Sequence, residues 1–453
     1  MFIDVLVAEI GSTTTVVSAF DKLGSNAPRF LGQGFAPTSV LEGDVRVGLK
    51  AAVRSLEIAL QADKVEYGEM FATSSAAGGL RMCVHGLVYD MTVKAAEAAA
   101  LGAGAIVKLA TAGKLTDYDL KDIKALQPNL IMLAGGTDFG ERETALYNAE
   151  RVCDMGLNVP VIYAGNVQNQ TAVKAMFEQK NIPLYSTENV YPKLDKLNIE
   201  PARRIIHEVF AEHIVKAPGM EHVRDMVKGS ILPTPGAVME AAQLLYSEIG
   251  DLVLVDIGGA TTDIHSVTAG TDEISALLTS PEPFAKRTVE GDLGLYVNAK
   301  NLIDMLGADA LSRELSLDVN EVMTYYEPIP RTDAQMKLTK RLCLEAGRTA
   351  LMRHAGQLRY IYTPSGRKTL AEGKDLTAVK YIVGTGGALT RLAEHERLLR
   401  ELADFNKTGM HLFPRPGELR LLTDNHYTMA SLGALSKRYG GEALLLMKQS
   451  LGI

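Results

Sequence analysis

The sequence predicts an α/β protein of two related halves, with a third α/β domain inserted between them. Three observations carry this reading. A strand, a glycine turn, a returning strand and a third strand occur twice, at residues 3–35 and 252–279, a repeat in plan though weak in sequence. Between the copies, short apolar runs alternate with helical stretches, the pattern of a parallel sheet. A glycine cluster, Gly384-Thr385-Gly386-Gly387, follows a further strand near the end. At 453 residues the chain exceeds what one core supports. The expected divisions are a first domain over 1–89, the insertion over 90–230, a second domain over 231–425 and a closing helix over 426–453.

Taken in order, residues 3–8 read as a strand that returns at 14–20 after Gly11-Ser12-Thr13, with 29–35 as its third member. Val47, Ala51, Val53, Leu56 and Leu60 recur at helical spacing, so 43–60 should cover that sheet. Residues 70–74 suit another strand. The alanine-rich stretch 93–109 reads as one helix and 121–126 as another. Brief apolar runs at 130–134, 159–164 and 182–185 suit strands buried on both faces, with helices at 142–155 and 171–179 between them. Residues 201–227 are mainly helical. A helix at 237–249 leads into the second copy, whose third strand is expected at 273–278. Helices then fall near 297–306, 334–354 and 389–402, a strand at 380–383, and a small-residue helix at 427–439.

Composition excludes several functions. A net charge of -7 without a Lys/Arg cluster argues against nucleic acid. Cys83, Cys153 and Cys343 are too scattered for a zinc site or a disulfide frame and read as reduced thiols. No apolar run approaches the roughly 20 residues that span a bilayer, and the first residues enter a strand rather than a signal peptide. A cytoplasmic protein off the membrane is expected; whether it pairs with a second copy stays open.

The chemistry gathers at the glycine turns. Gly258, Gly259 and Ala260 allow a tight turn that brings N–H groups to an anion, and Thr261 and Thr262 add hydroxyls. Asp256, at the mouth of the strand, is placed to hold Mg²⁺ through its water shell. Asp263 lies on the returning strand, where it would orient or deprotonate a water. The plain alternative is a hairpin with an acidic end. In the first copy, Gly11, Ser12, Thr13, Thr14 and Thr15 form the turn and Glu9 stands where Asp256 stands; strand propensity accounts for Thr15 but not for four hydroxyls in a row. Gly384, Thr385, Gly386 and Gly387 would let a base or ribose approach the backbone. The turns Gly135-Gly136-Thr137-Asp138 and Gly165-Asn166 read more simply as left-handed turns. His207 and His213 read as solvated, and so does the face carrying Arg341, Arg348 and Arg353.

The three glycine pieces, in this order, resemble the phosphate-1 (9–15), phosphate-2 (256–263) and adenosine (384–389) motifs of the actin-like ATPase superfamily. The resemblance implies two RNase H-like domains, ATP or ADP with Mg²⁺ as cofactors, and Asp256, Glu9, Asp263 and Thr261 as the catalytic and metal-facing set. More narrowly, LAGGTD at 133–138, VPVIYAGN at 159–166, ILPTPGAV at 231–238, VEGDLG at 289–294 and the ending GTGGALT–YTMASLGALS are similar to the MutL/GlmL family. That family accompanies adenosylcobalamin-dependent glutamate mutase and aminomutases. It implies a mutase partner and an ATP-driven reactivating role. Two departures stand out. Phosphate 1 usually begins with Asp, and the extra methylene of Glu9 moves the carboxylate by roughly 1.5 Å. Leu232 also takes the place of a catalytic Glu found in the chaperone ATPases. Both changes imply slow hydrolysis. A small-molecule kinase and a filament ATPase of the same fold remain the alternatives.

Overall fold

The apolar run at the start forms β1 (Phe2–Ile10), buried from Val5 to Ile10 as befits a central strand. In this computed structural model β1 pairs antiparallel with β2 (Thr14–Asp21), and β2 with β3 (Arg29–Pro37). β4 (Glu66–Ser74) joins the other side of β1 in parallel. All residues are described except 12, 13, 41, 42, 76–79, 215–218, 221, 229, 230, 364, 365, 393, 405–409, 416 and 418. Helix Val45–Ala59 covers the sheet at very short range. A Cβ at Gly34 would lie 2.0 Å from the Ala52 carbonyl oxygen, so only glycine lets helix and strand meet there.

The inserted domain begins earlier than residue 90. Its first strand is β5 (Arg81–Gly86), followed by β6 (Ile106–Ala112), β7 (Leu130–Leu133), β8 (Val161–Tyr163) and β9 (Leu184–Ser186). All five run parallel in the order β6-β5-β7-β8-β9. The helix expected over 93–109 covers only Lys94–Gly102. Gly104, at φ +88°, then turns the chain into β6. Small residues run without a break from the helix into the turn, which hides the boundary in the sequence.

β10 (Leu232–Pro233) returns to pair with β4 and completes the first sheet, β10-β4-β1-β2-β3. Residues 232 and 233, expected to open the second domain, therefore close the first. The first sheet and the insertion share one apolar core that includes Leu6, Met70, Leu80, Met82, Val84 and Ile206. His207 lies in this packed region and is not solvated. Burial pushes its imidazole down to about 4.

The chain divides into two compact units, Met1–Ala241 with Ala430–Leu446, and Ala242–Met429 with Met447–Ile453. The second holds β11 (Leu252–Ile257), β12 (Thr262–Val267) and β13 (Ala285–Glu290) as a meander. β14 (Gln357–Thr363) and β15 (Gly366–Glu372) form a separate ribbon. β16 (Tyr381–Thr385) and β17 (Arg420–Thr423) complete the order β13-β12-β11-β16-β17. Strand for strand, with the same parallel and antiparallel senses, this repeats the first sheet. Both are RNase H-like, and the chain has the actin-like ATPase fold.

The third strand expected at 273–278 is instead a helical turn, Asp272–Ser275, capped by Thr271, whose hydroxyl accepts from the Ile274 N–H. Thr-Asp-Glu is a helix-start signal, and the strand itself comes later, at 285–290. Helix Asp333–His354 is not a plain solvated face. Arg341 pairs with Glu314 at 2.9 Å and Glu345 at 3.0 Å, and Arg353 with Glu290 and Asp292. The small-residue helix expected over 427–439 is Met429–Ser436, and a further helix, Gly440–Leu451, closes the chain. A Cβ at Gly433 would lie 1.8 Å from the Ala237 carbonyl oxygen, so the small residues permit contact with helix Thr234–Ile249. The three cysteines are buried and free. Among the described residues no helix is long and apolar enough to cross a membrane.

Candidate nucleotide site

The two hairpins share one register and one closing hydrogen bond. Four residues separate the last pair before the turn from the strand's return, Ile10 facing Thr15 and Ile257 facing Thr262. Each turn is closed by its leading glycine: Gly11 N–H donates to the Thr14 carbonyl at 3.0 Å, and Gly258 N–H to the Thr261 carbonyl at 2.9 Å. A Cβ at Gly11 would lie 2.7 Å from the Thr14 oxygen, so a larger residue would open the turn. The match puts Glu9 in register with Asp256. It also exposes a difference, because Asp256 faces Asp263 across its strand pair whereas Glu9 faces Val16. Only in the second hairpin does an acid face the acid at the mouth of the first strand.

Asp263 and Arg287 are each 4% exposed. The Arg287 Nε and Nη2 groups donate to Asp263 Oδ1 at 2.8 and 2.5 Å, and the Thr261 hydroxyl donates to Oδ2 at 2.8 Å. The Thr262 hydroxyl donates to the Leu293 carbonyl at 2.8 Å. Residues 291–298 wrap the turn. Leu295 N–H donates to the Gly258 carbonyl, Tyr296 and Val297 N–H to the Gly259 carbonyl, and the Asn298 amide to the Ala260 carbonyl. A Cβ at Gly294 would lie 2.3 Å from the Ala260 oxygen, which explains the glycine in VEGDLG. Arg353 holds the same segment through Glu290 at 2.5 Å and Asp292 at 2.8 Å. Burial pushes the Glu290 carboxyl up, against the opposing pull of Arg353, while Arg353 draws the more exposed Asp292 down.

β16 lies parallel to β11 with Gly384 beside Val255 and Thr385 beside Asp256. This register brings the Gly384–Gly387 segment to the Asp256 hairpin. Gly386 has φ +83°, and a Cβ there would lie 2.5 Å from both Asp256 Oδ1 and the Ile257 carbonyl oxygen. Gly387 is exposed beside it. The two turns border a cleft of about 210 Å³ whose lining includes Gly259, Tyr296, Tyr326, Ile329, Gly387 and Arg391. The tyrosine ring centroids are 6.3 Å apart, and the Tyr326 hydroxyl bonds with Thr339 at 2.7 Å. Behind the turn, the Thr385 hydroxyl donates to Asp424 Oδ2 at 2.9 Å. Asp424 is wholly buried and also accepts from the Thr428 and Met429 N–H groups and the Ser450 hydroxyl. Gly386→Ala is expected to abolish saturable binding of a fluorescent ATP analogue at concentrations that saturate the wild type. A Cβ would push Asp256 aside and strain a left-handed backbone. Wild-type affinity would show that the turn tolerates the shift.

In the first unit, Glu9 is buried at the end of β1. Thr15 shares a hydrogen bond with Thr38 at 3.0 Å, and the Thr38 hydroxyl donates to the Gly11 carbonyl at 2.8 Å. Thr14 is half-buried, and Ser12 and Thr13 lie outside the described residues. Sequence reading missed Arg287, Tyr296, Asn298, Tyr326, Arg391 and Asp424. Of these, Arg391 directly follows the quoted GTGGALT, and Arg287 and Tyr296 each stand two residues from VEGDLG. No three His, Cys, Asp or Glu residues gather as a cation site among the described residues. A magnesium ion here would fit the mode in which one or two carboxylates and the ligand's phosphates share it with water. Asp256, half-buried beside the glycine turn, suits that role.

A family model described as MutL protein matches residues 5–451. The chain belongs to the MutL family. Protein MutL of Clostridium tetanomorphum is 36% identical to this MutL-family chain over 465 residues, spanning 98% of each. Among solved structures, the diol dehydratase-reactivating factor in nucleotide-free form is similar over 96% of this chain and 99% of its own, at 10% identity and a TM-score of 0.39. A glycerol dehydratase reactivase is similar over 95% and 99%, at 10% identity and a TM-score of 0.33.

Proposed function

We propose that this MutL-family chain binds Mg-ATP, hydrolyses it slowly, and acts as an accessory that reactivates an adenosylcobalamin-dependent mutase. The observation that carries the nucleotide reading is the meeting of the Asp256 hairpin and the Gly386 turn beside one cleft. Phosphates fit the backbone N–H groups around Gly258–Ala260, and the base fits between Gly387 and the apolar wall of Tyr296, Tyr326 and Ile329. Asp256 would hold the magnesium, which supplies charge neutralisation at the phosphates. Glu9, Gly11, Thr14 and Thr15 form a turn of the same form and are assigned the same kind of phosphate contact. Asp263 is better suited to orienting than to deprotonating, because three donors already hold its two oxygens. It fixes Thr261, whose hydroxyl and carbonyl define the turn.

Family membership supports the partner class, an adenosylcobalamin-dependent mutase such as glutamate mutase. Mutase blocked with cyanocobalamin is mixed with the protein, adenosylcobalamin and Mg-ATP, and activity is followed. Recovery that needs ATP is the expected result. Failure to recover, in a preparation that a competent reactivase does restore, rules the role out. Phosphorylation of a metabolite without mutase would favour a kinase instead.

A further inference from the structure

A cavity of about 750 Å³ opens in the inserted domain, well apart in sequence from the glycine turns. It lies outside the carboxyl ends of β7, β8 and β9, the end of a doubly wound sheet at which ligands bind. Strand order reverses between β5 and β7, but the chain itself fills that switch point. A Cβ at Gly86 would lie 2.8 Å from Thr92 Oγ1, and one at Gly136 2.0 Å from the Glu141 oxygen. The open space is beside it, framed by Asp138, Gln170, the stretch 186–189 and helix Glu200–Ile214.

The polar lining divides into groups that hold the frame and groups that hold nothing. Asp138 Oδ1 accepts from Val167 N–H and from the Asn189 amide, both at 3.0 Å. The Asn198 amide donates to Glu188 at 2.9 Å, and the Gln170 amide to the Thr187 carbonyl at 2.8 Å. Asn189 is 2% exposed, so the frame is built into the fold. Helix Glu200–Ile214 is likewise fixed from behind, where buried Arg203 reaches Glu200 at 2.6 Å and the Gly102 carbonyl at 3.1 Å. Its outward face places Pro201, Arg204, Ile205 and Glu208 on the cavity. Arg204 and Glu208 sit one turn apart without pairing. Among the described residues no partner holds the side chains of Lys196, Arg204, Glu208, Ser186 or Thr187. Asp138 and Glu188 keep their charge within the frame, so three carboxylates and two cations line the cavity, and Lys196, Arg204 and Glu208 are the charges left to meet a ligand.

We propose that this cavity is a second ligand site, for a small organic anion. A carboxylate or phosphate group would take the Arg204 guanidinium, which presents a matched fork to either, with Lys196 as a point charge. Hydroxyl or ammonium groups on the ligand would meet Glu208, Ser186 and Thr187, and Val167, Pro192 and Ile205 supply the apolar wall. The volume lies within the range of small-molecule pockets, roughly 300–1,000 Å³. The proposal does not rest on the nucleotide reading.

The full chain is titrated calorimetrically at low ionic strength with ribose 5-phosphate, with succinate and with inorganic phosphate. Saturable binding of one of the two organic anions is expected, and the one that binds identifies the headgroup. The double variant Lys196→Gln/Arg204→Gln should lose at least about tenfold in affinity, while Asp256→Ala binds the anion as wild type does. Both changed side chains are on the surface of the cavity, and an unaltered thermal unfolding midpoint in the double variant confirms that it is folded. The proposal fails if neither organic anion saturates, if inorganic phosphate alone binds, or if the double variant binds like wild type.

Discussion

Asp256→Ala is expected to lower ATP hydrolysis about a hundredfold or more, the scale on which a single preorganised charge at a reacting phosphate matters. The reason lies in position. β11 is buried up to Val255, and Asp256 is the first residue whose side chain reaches the mouth of the strand. It stands between the Gly258–Thr261 turn and Gly386, whose missing Cβ leaves room for its carboxylate. The side chain is half-buried, so its loss should cost little stability, and Asp256→Asn preserves its size while removing the charge. Steady-state hydrolysis is measured for both variants with saturating magnesium, beside binding of a fluorescent ATP analogue. Analogue binding that survives while hydrolysis collapses is the expected pattern. Wild-type hydrolysis in Asp256→Ala would remove Asp256 from the metal and with it the assignment of the whole turn. Glu9 offers the comparison within the same chain. It has the same register but a longer arm, and no acid faces it across the hairpin.

What could be read in the sequence follows from how local each cause is. A tight turn needs glycine at a fixed position, so Gly11, Gly258 and Gly386 announced themselves, and the structure gives Gly11 and Gly386 contacts that exclude a side chain and Gly258 a tight one at 3.2 Å from the Thr261 oxygen. Strands buried on both faces, such as residues 130–133 and 161–163, are short apolar runs and were equally legible. The missed elements lacked a local signature. β6 is only half-buried, with no alternation to separate it from the preceding alanines. The true third strand of the second meander, Ala-Lys-Arg-Thr-Val-Glu, looks like a charged surface segment because its arginine finds its partner 24 residues earlier. Arg287 and Asp424 act through pairings across the sheet or along the chain, at separations of 24 and 39 residues. Periodicity does not register such pairs. The cleft was invisible for the same reason, being assembled from Tyr296, Tyr326 and Gly387 on three separate segments. The doubled strand order, by contrast, was expected from the repeat in plan, and it emerged although the two hairpins share few identities.

Arg287→Met should destabilise the second unit by about 3–5 kcal/mol, the cost of leaving a buried carboxylate without its partner. Asp263 and Arg287 are buried on adjacent strands, and the arginine supplies two of the three donors that satisfy the acid. Methionine fills similar volume, so the loss would be electrostatic rather than a packing defect. Denaturant unfolding read by amide exchange across Thr262–Val267 measures it within the strand concerned. Removing the acid as well, in Asp263→Asn/Arg287→Met, should restore most of the loss, because an asparagine can still accept from Thr261 and leaves no bare charge. Such a cycle isolates the pair from either single change. The same double variant decides what Asp263 does for ATP. If its part is only to hold Thr261 and the turn, hydrolysis in the double variant should stay within about tenfold of wild type. If its charge acts on the attacking water, hydrolysis should remain lost even where stability has returned. A single Arg287→Met variant as stable as wild type would mean that solvent reaches Asp263, and the buried-pair account of this hairpin would then be wrong.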